Sequence, residues 1–446
     1  MLKIGRDSIA VVGAGVIGCA VARALAAEGN RVVLLDRAAP ATAGASFGNV
    51  GHIATEQLET LPSKQLLFGF WRELFAFGGA LDIPLRRVMS LSPWMARFAV
   101  AAFRQEANTR HLAPLVRGAA DSLERTLAAI GRRDLIRRGG HYAIWLGPGS
   151  TARAAAEETN AARLGVHATQ APADILRSLA VASKLSSATG ARTAATASSA
   201  ATAPAQAALS DITHLIAGLH YPDTAHVLDP AEVARAFATA AVEQGALVQR
   251  AEVKRLQPSG DAIEVTTDSE RLVVNTAVVC AGAWSAPLLA PFGLFAPLEA
   301  ERGYHVELPN HPSLVDAPLV YANEKIVVTP MAGRLRASSY LELAGLDAPP
   351  DPRKPARLRA RLSMLGYRCD PDGPSWMGPR PTLPDYLPGI GRAASGQNLY
   401  YAVGHQHLGL TLAAPTAELI ADLVAGRNTP WDIGALDLRR FGRAPA

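Results

Sequence analysis

The chain has 446 residues, 49% apolar and 19% charged, with a formal net charge of +5. That length supports roughly two or three domains and a large core, and the mild, diffuse positive excess argues against a nucleic-acid surface while fitting anionic ligands or an acidic membrane face. Cys19, Cys280 and Cys369 lie too far apart for a disulfide framework or a metal spacing, so a reducing, cytoplasmic setting is expected and no metal centre is read from the sequence.

No apolar run of signal-peptide type precedes the first glycine turn, and no stretch reaches the ~18 uninterrupted apolar residues of a spanning helix. The N-terminal stretch organises the rest. Ile9 to Val12 reads as a buried strand, followed by Gly13-Ala14-Gly15-Val16-Ile17-Gly18 in the G-x-G-x-x-G pattern. Cys19 to Glu28 reads as an Ala-rich helix stopped at Gly29-Asn30. Arg31 to Leu35 reads as a second strand that ends in Asp36. Gly13 permits the tight turn, Gly15 lets a pyrophosphate approach the backbone, and Gly18 lets helix and strand pack closely. The helix N-terminus attracts the phosphates and Asp36 reaches a ribose diol. The glycines alone would fit any tight turn. The strand, turn, helix, strand and acid together predict dinucleotide binding.

Thr42 to Ile53 is a small-residue loop in which Ser46 and Asn49 could donate to phosphate or ring oxygens, with His52 as a polar group beside them. Leu61 to Phe103 is aromatic and apolar, interleaved with Lys64, Arg72, Arg86, Arg87, Arg97 and Arg104. It reads as a helical cap on the core; the alternative is a surface patch at a membrane interface. Leu112 to Ile130 reads as an amphipathic helix, Gly140 to Leu146 as a strand and Ser150 to Leu164 as a helix. Residues 178–210 are nearly all Ala, Ser and Thr, which predicts a flexible surface insertion or a loosely packed helix. Asp229-Pro230-Ala231-Glu232 opens a helix. Thr276 to Cys280 is a buried strand running into Ala281-Gly282-Ala283-Trp284-Ser285. Arg302 to Leu308, Lys325 to Thr329 and Arg334 to Ser339 alternate as half-buried antiparallel strands do. Trp376 to Thr382 reads as a turn-rich segment that pins Arg380 between prolines. Gly404 to Gly409 is a small-residue loop feeding the closing helix.

Taken together, these stretches resemble the FAD-dependent amine and amino-acid oxidoreductases of the D-amino-acid oxidase and glycine oxidase superfamily. The branch most resembled is that of the bacterial D-amino-acid dehydrogenases, including those acting on cis-4-hydroxy-D-proline (D-hydroxyproline dehydrogenases). The resemblance is carried by the opening βαβ unit ending Leu34-Leu35-Asp36-Arg37, the loop Ser46 to His52, Val279 to Ser285, and the pair Trp376 to Pro381 and Gly404 to Gly409. It implies an α/β chain, α+β overall, with a Rossmann-like FAD-binding domain (residues 1–55, 228–290 and 376–446). An antiparallel-sheet substrate domain with a helical cap (56–227 and 291–375) completes it, each domain being discontinuous.

By residue, the resemblance implies that Gly13, Ala14, Gly15, Val16, Ile17 and Gly18 hold the pyrophosphate of non-covalent FAD. Asp36 would bind the adenosine ribose, with Arg37 and Val253 near the adenine. Ser46, Asn49, Gly51 and His52 would line the pyrophosphate and flavin, and Ala281 and Gly282 would pass close to the cofactor. Gly404, His405, Gln406, His407, Leu408 and Gly409 would contact the pyrimidine end of the ring. Arg380 would clamp the substrate carboxylate, helped by Tyr304 or Arg302, and His52 or His407 would take the amine proton. The implied reaction is hydride transfer from Cα of a D-amino acid or cyclic imino acid to flavin N5, with a membrane quinone as acceptor and residues 61–104 touching the inner membrane. The alternatives are a glycine- or sarcosine-type oxidase using O2, a flavin subunit of an electron-transfer complex, and a non-catalytic NAD-binding module. Two departures bear on the substrate: glycine oxidases place an arginine where His407 stands, and many D-amino-acid dehydrogenases have glutamine near His52.

Overall fold

The computed structural model describes residues 5–191, 216–394 and 397–442. Strand β1 (Ile9–Val12), helix α1 (Val16–Ala27) and strand β2 (Val32–Asp36) form where the apolar runs and the Gly29 stop place them. β1 pairs in parallel with β2 on one side and with Thr276–Val279 on the other. Leu247–Arg250 extends the sheet beyond β2; Leu399–Val403 and the antiparallel Gly389–Arg392 extend it the other way. Every residue of β1 is buried, as a strand covered on both faces requires. α1 packs on the helices Pro230–Glu243 and Ala413–Val424, and Leu25 is fully buried at that junction. Its truncation to Ala would cost about 2–5 kcal/mol. The Asp229 side chain caps the 230–243 helix by accepting from the amides of Ala231 and Glu232.

A nine-stranded sheet forms the second layer. Its order is Ser375–Thr382, Glu299–Pro309, Arg334–Glu342, Ile326–Met331, Leu319–Tyr321, His141–Leu146, Ile216–Tyr221 and Thr169–Gln170, with Leu81–Asp82 beside Arg334–Glu342. Both layers are therefore assembled from separated segments of chain. Two sequence expectations change. Residues 376–382 are an edge strand rather than a turn segment. Pro379 and Pro381 lie two apart on it, so both missing N–H groups face away from its single partner strand. The expected helix Leu112 to Ile130 is two helices, Gln105–Arg117 and Ala119–Ala129, broken at Gly118. The start of the 178–210 stretch takes the helical one of the two forms expected for it (Ala173–Ala191), with Leu179 and Ala180 buried against the large sheet; residues 192–210 lie outside the described residues. The cap is built from short helices and the helix Val88–Ala102, which buries Leu91, Trp94 and Phe98. Among the described residues, no helix is long and apolar enough to cross a membrane.

Candidate active site

A cavity of about 860 Å³ is lined by residues of both sheets and of the cap. The turn after β1 forms one wall. Gly13 has φ +107°, and a Cβ there would lie 2.4 Å from the Cys280 carbonyl oxygen; a Cβ on Gly18 would lie 1.8 Å from the Gly13 carbonyl oxygen. These two positions admit only glycine, and the first residues of α1, Val16 and Ile17, line the cavity. The Ser46 hydroxyl accepts from the Val16 amide at 3.0 Å, an acceptor placed at the positive end of α1. Asp36 accepts from the amides of Ala14 (2.6 Å) and Ala38 (2.9 Å), which fixes its carboxylate at the lip of β2. Beside it the Arg37 guanidinium stacks on the Trp284 ring, 4.3 Å from its centroid. Val253, Ala281 and Gly282 line the same cavity.

The loop after β2 is clamped onto the large sheet. His305 Nδ1 pairs with the Gly48 carbonyl at 2.9 Å, and the Arg336 guanidinium donates to the Asn49 carbonyl at 2.7 Å. The Trp376 ring stacks on His305 and fills the space over Gly48, where any Cβ would strike the indole. Asn49 turns its side-chain oxygen to the Gly51 amide (2.8 Å).

Arg380 lies directly across the strand pair from Glu301. Its Nη1 donates to Glu301 Oε1 at 3.1 Å, and Glu301 Oε2 accepts from the hydroxyls of Thr382 (3.1 Å) and Tyr386 (2.8 Å). Gly303 leaves the room for the guanidinium, since a Cβ there would lie 2.2 Å from Arg380 Nη2. Arg380 and Glu301 both line the cavity, together with Tyr340, Tyr386 and Lys325, all three at positive φ. Such non-glycine residues are held against local strain by the structure around them. Sequence reasoning missed Glu301, Tyr340, Tyr386 and Lys325. A lone acid or tyrosine in a strand carries no local signal.

Gly404, His405, Gln406, His407 and Gly409 line the same cavity. His405 Nε2 pairs with Thr416 Oγ1 (3.1 Å), and Gln406 donates to the Tyr386 carbonyl (2.6 Å). His407 Nε2 pairs with Gln57 Oε1 at 2.7 Å; the amide oxygen only accepts, so that nitrogen carries the hydrogen and Nδ1 the lone pair.

Several expected roles are corrected. Gly18, Gly51 and Leu408 do not line the cavity: Gly18 keeps the helix–strand contact expected of it, Gly51 makes a turn at φ +79°, and Leu408 packs in the core. Arg302 is wholly buried, pairs with Glu342 at 3.0 Å and donates to the Pro349 carbonyl. The Tyr304 hydroxyl is committed to the same network, donating to Glu342 at 2.7 Å and accepting from the Asp351 amide at 3.0 Å. Lys354, Asp82 and Asp351 complete it, so neither Arg302 nor Tyr304 is free to hold a carboxylate. His52 lines the cavity, but burial lowers its pKa to about 3, and a ring held neutral so firmly does not take a proton from an ammonium group at neutral pH.

Residues 8–423 match the DAO family model, described as FAD dependent oxidoreductase. The chain is 28% identical over 448 residues to a D-amino-acid oxidase of Bradyrhizobium diazoefficiens, covering 97% of this chain and 98% of that protein. It is 29% identical over 460 residues to a D-amino acid dehydrogenase of Paramagnetospirillum magneticum, again covering 97% and 98%. Among solved structures it is similar to glycine oxidase from Geobacillus kaustophilus, with a TM-score of 0.71 and 20% identity over 98% of this chain and 99% of that one.

Proposed function

The chain belongs to the DAO family of FAD-dependent oxidoreductases, and from that premise we propose that it dehydrogenates a D-amino acid or a cyclic D-imino acid such as D-proline or cis-4-hydroxy-D-proline. The residues present fit the cofactor. The Cβ-free turn at Gly13, the amides opening α1, the fixed Asp36 carboxylate and the Arg37–Trp284 stack suit a non-covalently held dinucleotide. FAD, when bound, supplies the two-electron acceptor.

The observation that carries the substrate reading is the Arg380–Glu301 pair in the cavity wall. A guanidinium fork suits a carboxylate, and its fixed direction orients the substrate's Cα. The pair has no net charge, which matches a zwitterionic amino acid. Thr382 and Tyr386 hold Glu301, and through it Arg380, before substrate arrives. The substrate amine is used neutral; burial lowers the His407 pKa to about 4, so that ring is ruled out as the base for its proton on the same ground as His52. The cap residues Trp94 and Phe98 line the same cavity and exclude water from it.

The acceptor we propose is a membrane quinone, reached by an enzyme of the cytoplasmic side of the inner membrane. Residues 61–104 support this: Leu85 and Met89 are 91% and 83% exposed, Phe68, Phe77 and Phe103 in the same segment are exposed too, and Lys64, Arg72, Arg86 and Arg97 share it. Apolar side chains for the acyl boundary and cations for anionic headgroups make such a surface. The similarity to a D-amino-acid oxidase favours O2 as a second reading. Turnover of D-proline with a quinone analogue under argon tests the proposal. Stoichiometric hydrogen peroxide in air would assign the oxidase instead.

A further inference from the structure

Behind the cavity wall lies a second group of polar side chains that the redox chemistry does not use. His52 sits on the short strand His52–Ile53, Glu56 follows four residues later, and His141 opens the strand His141–Leu146. The ligating atoms of the three lie within 4.8 Å of one another. His52 Nε2 is 3.8 Å from Glu56 Oε2, and His141 Nε2 is 3.9 Å from Glu56 Oε1. Neither His52 Nε2 nor Glu56 Oε2 has a hydrogen-bond partner among the described residues, although both atoms are buried. Buried polar atoms left unpaired cost free energy, so a group that satisfies both at once is called for.

We propose that His52, Glu56 and His141 bind a divalent first-row transition ion of the zinc class. The ligand set is two imidazoles and one carboxylate, a combination that suits such ions and leaves a coordination position open. The hydrogen bonds fix the tautomer it needs. The Thr224 hydroxyl donates to the Tyr221 carbonyl at 3.1 Å, so it can only accept from His141 Nδ1, 3.0 Å away. The His141 hydrogen is therefore on Nδ1, and the Nε2 lone pair faces Glu56. This is the outer-shell arrangement that orients metal-bound histidines. Tyr221 stacks on the His141 ring at an interplanar angle of 1° and holds its plane. Burial keeps both imidazoles neutral, the form that ligates, and raises the Glu56 carboxyl to about 8, so that an ion binding near neutral pH displaces its proton.

The distances fit after a small closure. Two ligands ~2.1 Å from a tetrahedral ion lie ~3.4 Å apart, about half an ångström inside the two histidine–Glu56 separations, and all three ligating atoms already lie within 4.8 Å of one another. A route in exists as well: a cavity of about 160 Å³, separate from the main one, is lined by Glu56, Tyr221 and Thr224 with His167 and Asp223. An ion reaching Glu56 that way need not pass the flavin site. His52 lines the main cavity, so the ion would hold one element of that wall in place.

The test is Zn²⁺ binding by the flavin-loaded protein after chelator treatment and dialysis, read by competition with a chromophoric chelator and by elemental analysis. The expected result is about one ion per chain at micromolar affinity or tighter, weakened at least about tenfold by Glu56→Gln and by His141→Gln. Thr224→Val keeps every ligand and removes only the tautomer lock, and it is expected to weaken binding about 10- to 100-fold. Retained flavin reports that each variant is folded, and Thr224→Val decides the matter where a ligand variant loses it. No ion bound by the wild type at micromolar Zn²⁺, or variants that bind as the wild type does, would overturn the site.

Discussion

Glu301 and Arg380 face each other across neighbouring antiparallel strands, joined at 3.1 Å, and the acid is anchored on its far side by Thr382 and Tyr386. Arg380, the arginine proposed to meet substrate, is thus positioned by an acid 79 residues away in sequence. Arg380→Lys keeps the charge against Glu301 but loses the planar fork. It is expected to raise KM for the amino acid about 10- to 100-fold with flavin retained. Steady-state kinetics check it, and an unchanged KM would remove Arg380 from substrate binding.

Glu301→Leu leaves the arginine without its partner in a largely buried setting. A loss of about 3 kcal/mol in stability is expected from denaturant unfolding, together with a raised KM. Glu301→Gln, which retains hydrogen-bonding capacity toward Thr382 and Tyr386, is expected to lose less.

Gly18→Val places a side chain where a Cβ would already lie 1.8 Å from the Gly13 carbonyl oxygen. Helix α1 must then move off β1, and the amide cradle at the turn opens. The expected outcome is protein purified without its yellow cofactor. A variant with full flavin content would contradict the role given to this turn.

His305 is buried between Trp376 and Arg336, and burial, then the Arg336 charge, lowers its pKa from 6.5 to about 4. The unfolded chain binds the proton more readily than the folded one. Stability is therefore present above pH 6.5 and lost as pH falls from there through about pH 4. Thermal melting across that window should show the wild type falling and His305→Gln falling less steeply.

The exposed segment around Leu85 and Met89 is expected to bind vesicles containing anionic lipid better than neutral ones, with the difference shrinking as salt rises. Leu85→Glu with Met89→Glu should abolish sedimentation with vesicles. Equal binding by that double variant would place the contact elsewhere or nowhere.

The βαβ unit was legible in the sequence because its signal is local: each glycine, the helix stop and Asp36 act within one unit of chain. Arg380 was legible through resemblance, but its surroundings were not. Glu301, Tyr340 and Tyr386 reach it through strand register and positive φ, which no short window of sequence encodes. Tyr304 and Arg302 were misassigned for the converse reason. They sit two residues apart on the right strand, yet both are committed to Glu342. The grouping of His52, Glu56 and His141 was not legible in the sequence, because His141 joins the other two only through the fold.

Anaerobic bleaching of the bound flavin by a panel of D- and L-amino acids that includes proline, the 4-hydroxyproline isomers, glycine and sarcosine decides the substrate. Rapid bleaching by D-proline or cis-4-hydroxy-D-proline is expected, slowed in Arg380→Leu. Flavin that stays oxidised with every D-amino and D-imino acid, or that is bleached only by L-isomers, would contradict it.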